Sequence, residues 1–245
     1  MDFPKIKKYL GEEWLNRQIK IIEGGMWIED PKGMDTKDII PVGYFILEEI
    51  NKLITKFEEI KGFDKWVKEA RTSKQFKTCL FELMSIEAFI DKSDFIELKK
   101  ENDDGVPEAF VKKGEYIFFL ECTLLDELKS SFENKAADLF KKSTKKFRNS
   151  EGIHLVGAFD FFGVGKLMPT TNFHLLKRHI NSRFSKGRGS ATIAYIITNF
   201  YFTINPETKK MYSAKEYWLI LNPNKGEYDT YFFKNVMSVK DFITY

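Results

Sequence analysis

Apolar residues recur at helical spacing along residues 9–22 and 42–60, which predicts two amphipathic helices. Gly24-Gly25 and Pro31-Lys32-Gly33 break the pattern between them. Beyond residue 71 the period changes. Residues 76–90 predict a helix with Phe76, Cys79, Leu80, Leu83, Ile86 and Ile90 near one face. A strand over 94–100, a polar turn over 101–105 and a second strand over 108–112 follow, and Lys113-Gly114-Glu115 is a hairpin-turn signal. Residues 116–125 form the most apolar run, Tyr-Ile-Phe-Phe-Leu-Glu-Cys-Thr-Leu-Leu. A strand apolar on both faces belongs in the middle of a sheet.

The pattern then predicts a long helix over 126–148, with Asp126 as its N-cap and Phe132, Ala136, Leu139, Phe140 and Phe147 turned inward. A strand over 153–162, a helix over 173–184 and a strand over 191–203 come next. The tail carries strand signals at 217–221 and 230–233 around a turn at Asn222-Pro223-Asn224. From Phe76 to Thr203 the order is α-β-β-β-α-β-α-β, so the expected class is α/β, a mixed sheet covered by helices. No Gly/Ser-rich linker sets the first part aside. The expected organisation is a helical N-terminal extension over residues 1–71, packed on a core over residues 72–245 with a strand-rich tail.

Composition narrows this picture only slightly. Of 245 residues, 43% are hydrophobic, enough for a full core. The balance of 39 basic against 36 acidic residues is too even to imply nucleic-acid binding unless basic residues cluster locally. Cys79 and Cys122 stand alone in apolar surroundings, without a CxxC pair or disulfide framework, and read as reduced buried thiols of a cytoplasmic protein. No run approaches the roughly 20 apolar residues that span a bilayer. Gly163-Val164-Gly165-Lys166 lacks the GxxxxGK[ST] spacing and reads as a turn. His154, His174 and His179 match no metal-ligand spacing and read as structural or exposed, and no GxSxG motif is present.

Glu121 carries the most chemical information. It interrupts an apolar strand expected in the sheet centre, where an ionised carboxylate without a partner costs several kcal/mol or gives up its charge. Either a cation or a structural Lys or Arg resolves the conflict. Glu108 precedes a neighbouring strand, and the short turn at Lys113-Gly114 would bring the two strands together. Two acids converging at strand ends suit Mg²⁺ or Mn²⁺, completed by water and a substrate phosphate. The blander reading of Glu108 is an exposed turn acid after Asp103-Asp104-Gly105.

Pro107-Glu108 followed by Glu121-Cys122-Thr123, with Glu82 on the preceding helix and a basic helix after, resembles the PD-(D/E)XK nuclease-like superfamily, also called restriction-endonuclease-like. The resemblance covers roughly Phe76 to Thr203 and implies an αβββαβ core. It places Glu108 on the family's aspartate, Glu121 on its second acid and Glu82 on the helix acid of many members, with Glu87 a rival for that last place. It also implies a metal-dependent DNA endonuclease, of the kind found in restriction, phage defence or repair. Asn222-Pro223-Asn224 after a strand is a weaker point of likeness. Thr123 departs from the pattern, because it falls where the family has lysine. Threonine hydrogen-bonds the attacking water or a phosphate oxygen but brings no charge.

A replacement is sought on the long helix, where Lys135, Lys142 and Lys146 form one stripe. Lys135 is the favoured substitute; Lys142 and Lys146 suit phosphate contacts, while Lys141 and Lys145 read as solvated. Lys186 and Arg188, in the loop Lys186-Gly187-Arg188-Gly189-Ser190, are further candidates for nucleic acid. The expected partner is therefore DNA, with a homodimer as one assembly open to the chain. Two other readings stay open: a catalytically inactive module of the same fold that binds nucleic acid or protein, favoured by Thr123, and a structural α/β protein whose buried acids pair with lysines.

Overall fold

Pro4 opens the first helix, α1 (Pro4–Tyr9), at a position whose missing N–H costs nothing. Asn51 Oδ1 accepts from the amides of Lys5 at 3.0 Å and Ile6 at 3.3 Å, which fills that helix's open first turn. These contacts come from a computed structural model, which describes residues 2–23, 36–72, 76–101, 105–125, 131–147, 150–160, 170–204, 211–239 and 242. Asn51 lies on α3 (Thr36–Phe57), which packs with α1 and α2 (Glu12–Glu23). A fourth helix, α4 (Phe63–Ala70), buries Phe63, Trp66, Val67 and Ala70. Among the described residues the N-terminal stretch thus holds four helices where spacing alone predicts two. Gly24-Gly25, Pro31-Lys32-Gly33, Asp103-Asp104, Asp126 and Gly163-Val164-Gly165-Lys166 all lie outside the described residues.

The next helix, α5 (Phe76–Ile90), keeps the bounds its apolar spacing predicts and is buried nearly all round, Glu82 and Ser85 included. A helix without a wet face sits between two apolar partners. Here they are the N-terminal helices and a six-stranded sheet, which pairs in chain order: β1 (Phe95–Leu98), β2 (Ala109–Lys113), β3 (Tyr116–Leu124), β4 (Gly152–Asp160), β5 (Thr192–Ile204) and β6 (Met211–Leu221). The first three strands form an antiparallel meander, β3, β4 and β5 run parallel, and β6 returns antiparallel. Gly114, at φ 57, makes the tight β2–β3 turn, and Asp94 holds it by accepting from the Gly114 amide at 2.7 Å and Lys113 Nζ at 2.9 Å.

Alternation along the strands separates two apolar clusters. Leu120, Cys122, Leu155, Ile196 and Leu219 face the side of α5, in one continuous cluster that includes Phe3, Trp14 and Trp66 of the N-terminal helices. Val156, Tyr195, Ile197, Trp218 and Ile220 face the other side, against α6 (Phe132–Lys146) and α7 (Thr170–Phe184). These two helices make the crossovers that parallel strands require. The architecture is α/β, a mixed six-stranded sheet between helical layers, and α5-β1-β2-β3-α6-β4 reads αβββαβ along the chain.

Two sequence expectations are corrected. The helix expected over 126–148 begins at Phe132, capped by Ser131, whose hydroxyl accepts from the Asn134 amide at 3.3 Å. The strand expected over 230–233 is instead a helix, α8 (Thr230–Val236). Its aromatic run, Tyr231-Phe232-Phe233, resembles a strand in composition, but Asp229 caps it by accepting from the Phe232 amide at 2.8 Å. Phe232, Phe233 and Val236 then share one buried face. Among the described residues, no helix is long and apolar enough to cross a membrane.

Candidate functional site

The β2–β3 register decides where the two strand acids stand. Ala109 pairs with Leu120 at the end of the β2–β3 ladder, and the Glu108 amide donates to the Leu120 carbonyl at 2.9 Å, so Glu108 stands just before β2 beside the part of β3 that carries Glu121. Glu121 is 6% exposed and its Oε2 has no hydrogen-bond partner among the described residues; the Lys146 ammonium stands 3.8 Å away. Burial, reinforced by the charge of Glu108, pushes the Glu121 carboxyl up to about 7, against the opposing pull of Lys146 and Lys142. Glu82, from α5, is pushed up to about 8 by burial and again by Glu108. Glu108 is therefore the charge that both buried acids feel most strongly.

A lysine that linear spacing did not single out completes this centre. Lys99 follows β1, is 5% exposed, and has φ 49, the left-handed region that residues with a Cβ rarely enter. Its Nζ lies 3.0 Å from Glu69 Oε2 and 3.0 Å from Glu82 Oε2, and it pairs with Glu108. The contact with Glu82 is an ion pair without hydrogen-bond alignment. Burial works against the lysine's charge, but Glu108 and Glu82 outweigh it and hold the ammonium protonated. Gly62, at φ 86, makes the approach feasible: a Cβ there would meet the Leu98 carbonyl oxygen at 2.0 Å. Only glycine lets α4 start so close to β1, bringing Glu69 within reach of Lys99. The one sign of Lys99 in the sequence was arithmetic, because buried acids need a cation, but spacing could not say which lysine turns inward.

Thr123 sits in a polar relay beside this centre. Its Oγ1 lies 2.8 Å from His154 Nε2, and Ser143 Oγ lies 2.7 Å from His154 Nδ1 and 2.9 Å from Tyr195 Oη. Ser143 donates to the Leu139 carbonyl at 2.9 Å, and a carbonyl can only accept. Its single proton is thus committed, so it accepts from His154 Nδ1–H and from Tyr195. His154 Nε2 is then the acceptor and takes the Thr123 proton. Burial, aided by Lys142, holds His154 down to about 3 and keeps it neutral. The Thr123 proton belongs to His154, so any hydrogen bond from Thr123 to water would be one its oxygen accepts. Its oxygen accepts from Lys142 Nζ at 3.4 Å.

The lysines of α6 are distributed differently from the stripe read in the sequence. Lys142, rather than Lys135, brings its ammonium to Thr123. Lys135, Lys141, Lys142 and Lys145 line one cleft of about 440 Å³ with Thr123 and Asp138, and Lys141 and Lys145, exposed as expected, stand at its rim. Lys146 donates to the Val106 carbonyl at 2.6 Å, tying the end of α6 to the segment before Glu108. Lys186 and Arg188 are exposed on the loop into β5, at the end of the parallel strands opposite that cleft. Asn222 and Asn224 clamp this loop: Asn222 Nδ2 donates to the carbonyls of Gly189 at 3.2 Å and Thr192 at 2.8 Å, and Asn224 Nδ2 to that of Phe184 at 3.2 Å. Asn222-Pro223-Asn224 therefore has a structural task. Glu87 does not join the acidic centre; it pairs with Lys56 and Lys215.

No family model matches the chain, and no curated protein matches it. Among solved structures, it is similar to Pyrococcus furiosus SfsA in complex with Ca²⁺, at 5% identity and a TM-score of 0.29, covering 57% of this chain and 62% of that one. The likeness spans less than two thirds of the SfsA chain.

Proposed function

We propose that the protein is a nuclease of the PD-(D/E)XK type, cleaving phosphodiester bonds in DNA with a divalent cation held by Glu108 and Glu121. The observation that carries this is the Glu121 carboxylate, buried in the third strand with an oxygen that accepts no hydrogen bond among the described residues, its Lys146 counter-charge 3.8 Å away, and under the charge of a second acid. A carboxylate does not normally stay buried without a hydrogen bond or a counter-charge. The αβββαβ element order and Glu82 on its first helix support the same reading. Mg²⁺ or Mn²⁺, when bound, supplies Lewis acidity at the scissile phosphate.

The chain's own residues do the rest. Lys142 takes the part of the missing motif lysine from a different element, with Thr123 as its anchor and His154 fixing the threonine. Its charge offsets the negative charge that develops on the phosphate. Lys135, Lys141 and Lys145 hold the strand along the cleft through phosphate contacts, which position without reading sequence.

A second reading is favoured by one observation, that Lys99 already pairs with Glu108 and stands 3.0 Å from Glu82. A centre satisfied in this way belongs to a binding module that retains DNA without cutting it. Nicking of supercoiled plasmid in Mn²⁺ separates the two. Wild type should nick, and Glu121→Gln and Lys142→Met should each lose roughly 100-fold or more. Retention of DNA with no nicking in any metal selects the binding module, and equal nicking by Glu121→Gln removes the proposed centre.

A further inference from the structure

Three acids from three separate parts of the chain meet at the Lys99 ammonium: Glu69 of α4, Glu82 of α5 and Glu108 before β2. Phosphodiesterase centres that use two metal ions set them about 3.5–4 Å apart across shared carboxylates. Glu108 is the acid that links the two groups here. Lys99 pairs with it, and its charge also bears on Glu121, whose Oε2 accepts no hydrogen bond among the described residues and has Lys146 3.8 Å away. We infer that Lys99 is a built-in second cation of the acidic centre, so that the site takes one divalent ion, held by Glu108 and Glu121, and not two. This rests on the metal-dependent reading above and adds the ion count and the residue that sets it.

Two features show that the lysine is built into this place. It is the sole non-glycine residue at positive φ among the described residues, so the backbone is bent against its preference where the side chain turns inward. Around it, ligand atoms of Glu69, Cys79 and Glu82 all lie within 4.8 Å of one another. Removing the ammonium leaves that set of oxygen and sulfur donors without a cation. A divalent ion is then the natural replacement, with Mn²⁺ or Zn²⁺ suiting the thiol better than Mg²⁺.

The test counts Mn²⁺ ions bound per full-length chain by calorimetry, and follows thermal melting in EDTA and in Mn²⁺. Wild type should bind one ion and Lys99→Met two. In EDTA the variant should melt about 10 °C below wild type, because a buried ion cluster has lost its cation, and Mn²⁺ should restore most of the difference. Two ions on the wild type, or one on Lys99→Met, overturns the inference and leaves the metal-dependent reading standing. No Mn²⁺ bound by wild type removes both. A variant that stays unfolded in Mn²⁺ also counts against the inference, since the metal should then substitute for the missing charge.

Discussion

Glu82 and Glu87 stand on the same helix, α5, and are both largely buried, yet their surroundings treat them in opposite ways. Glu87 has two lysines to itself, Lys56 of α3 and Lys215 of β6, and although burial opposes its charge they hold its carboxyl below the usual range. Glu82 shares one lysine with Glu69 and Glu108, and burial drives its carboxyl up to about 8. The first arrangement is a tie between elements with cations to spare. The second gives three acids one lysine to share. Glu82 is also the more deeply buried, 5% exposed against 19% for Glu87, so burial and cation supply together set the two apart.

The largest expected effect comes from removing the cation at each place. In EDTA, Lys99→Met should lose about 3–5 kcal/mol of stability, as happens when one partner of a buried ion cluster is deleted. Lys215→Met should lose only about 1 kcal/mol, because Glu87 keeps Lys56 and partial contact with water. Equal losses by urea unfolding would erase the contrast. Next comes the response to pH. The folded chain holds a proton on Glu82 up to about pH 8, whereas the unfolded carboxyl releases it near 4.5. Stability from this group therefore rises as pH falls from 8 towards 5, and Glu82→Gln should flatten that rise. Glu87 works the other way. Its stabilisation is present above its ordinary value of 4.5 and is lost as pH falls through the depressed value. Unfolding midpoints at pH 4, 6.5 and 8 distinguish the two. A smaller effect follows from His154→Phe, which leaves the Thr123 hydroxyl without its acceptor and removes one donor from Ser143, and should cost about 2 kcal/mol. If Lys142 works through Thr123, the same variant should slow any Mn²⁺-dependent nicking, while His154→Gln recovers part of it.

Much of the frame was legible because burial writes itself into apolar spacing. The bounds of α5 and the hairpin at Gly114 followed from pattern alone, and β3 did so to within one residue. That the segment carrying Glu108 lies beside the strand carrying Glu121 followed from the short turn between β2 and β3. Charged contacts were harder to read. Lys99 looked like the polar end of a strand, and its inward turn depends on one positive φ and on Gly62, neither of which has a linear signature. Lys142 and Lys135 share a helix stripe, and only the distance between α6 and β3 separates them. His154 matched no ligand motif because its partners are hydroxyls contributed by β3 and α6. At residues 230–233 aromatic composition suggested a strand, and the capping aspartate one position earlier decided for helix.

The six strands lie side by side in the order in which they are made. Each new strand therefore joins the exposed edge left by the one before, and none has to be slotted between two that are already joined. For a chain leaving the ribosome this permits stepwise growth of the sheet, with Glu69, Glu82, Lys99, Glu108 and Glu121 all delivered before α6 begins. The later strands extend the platform without reopening it.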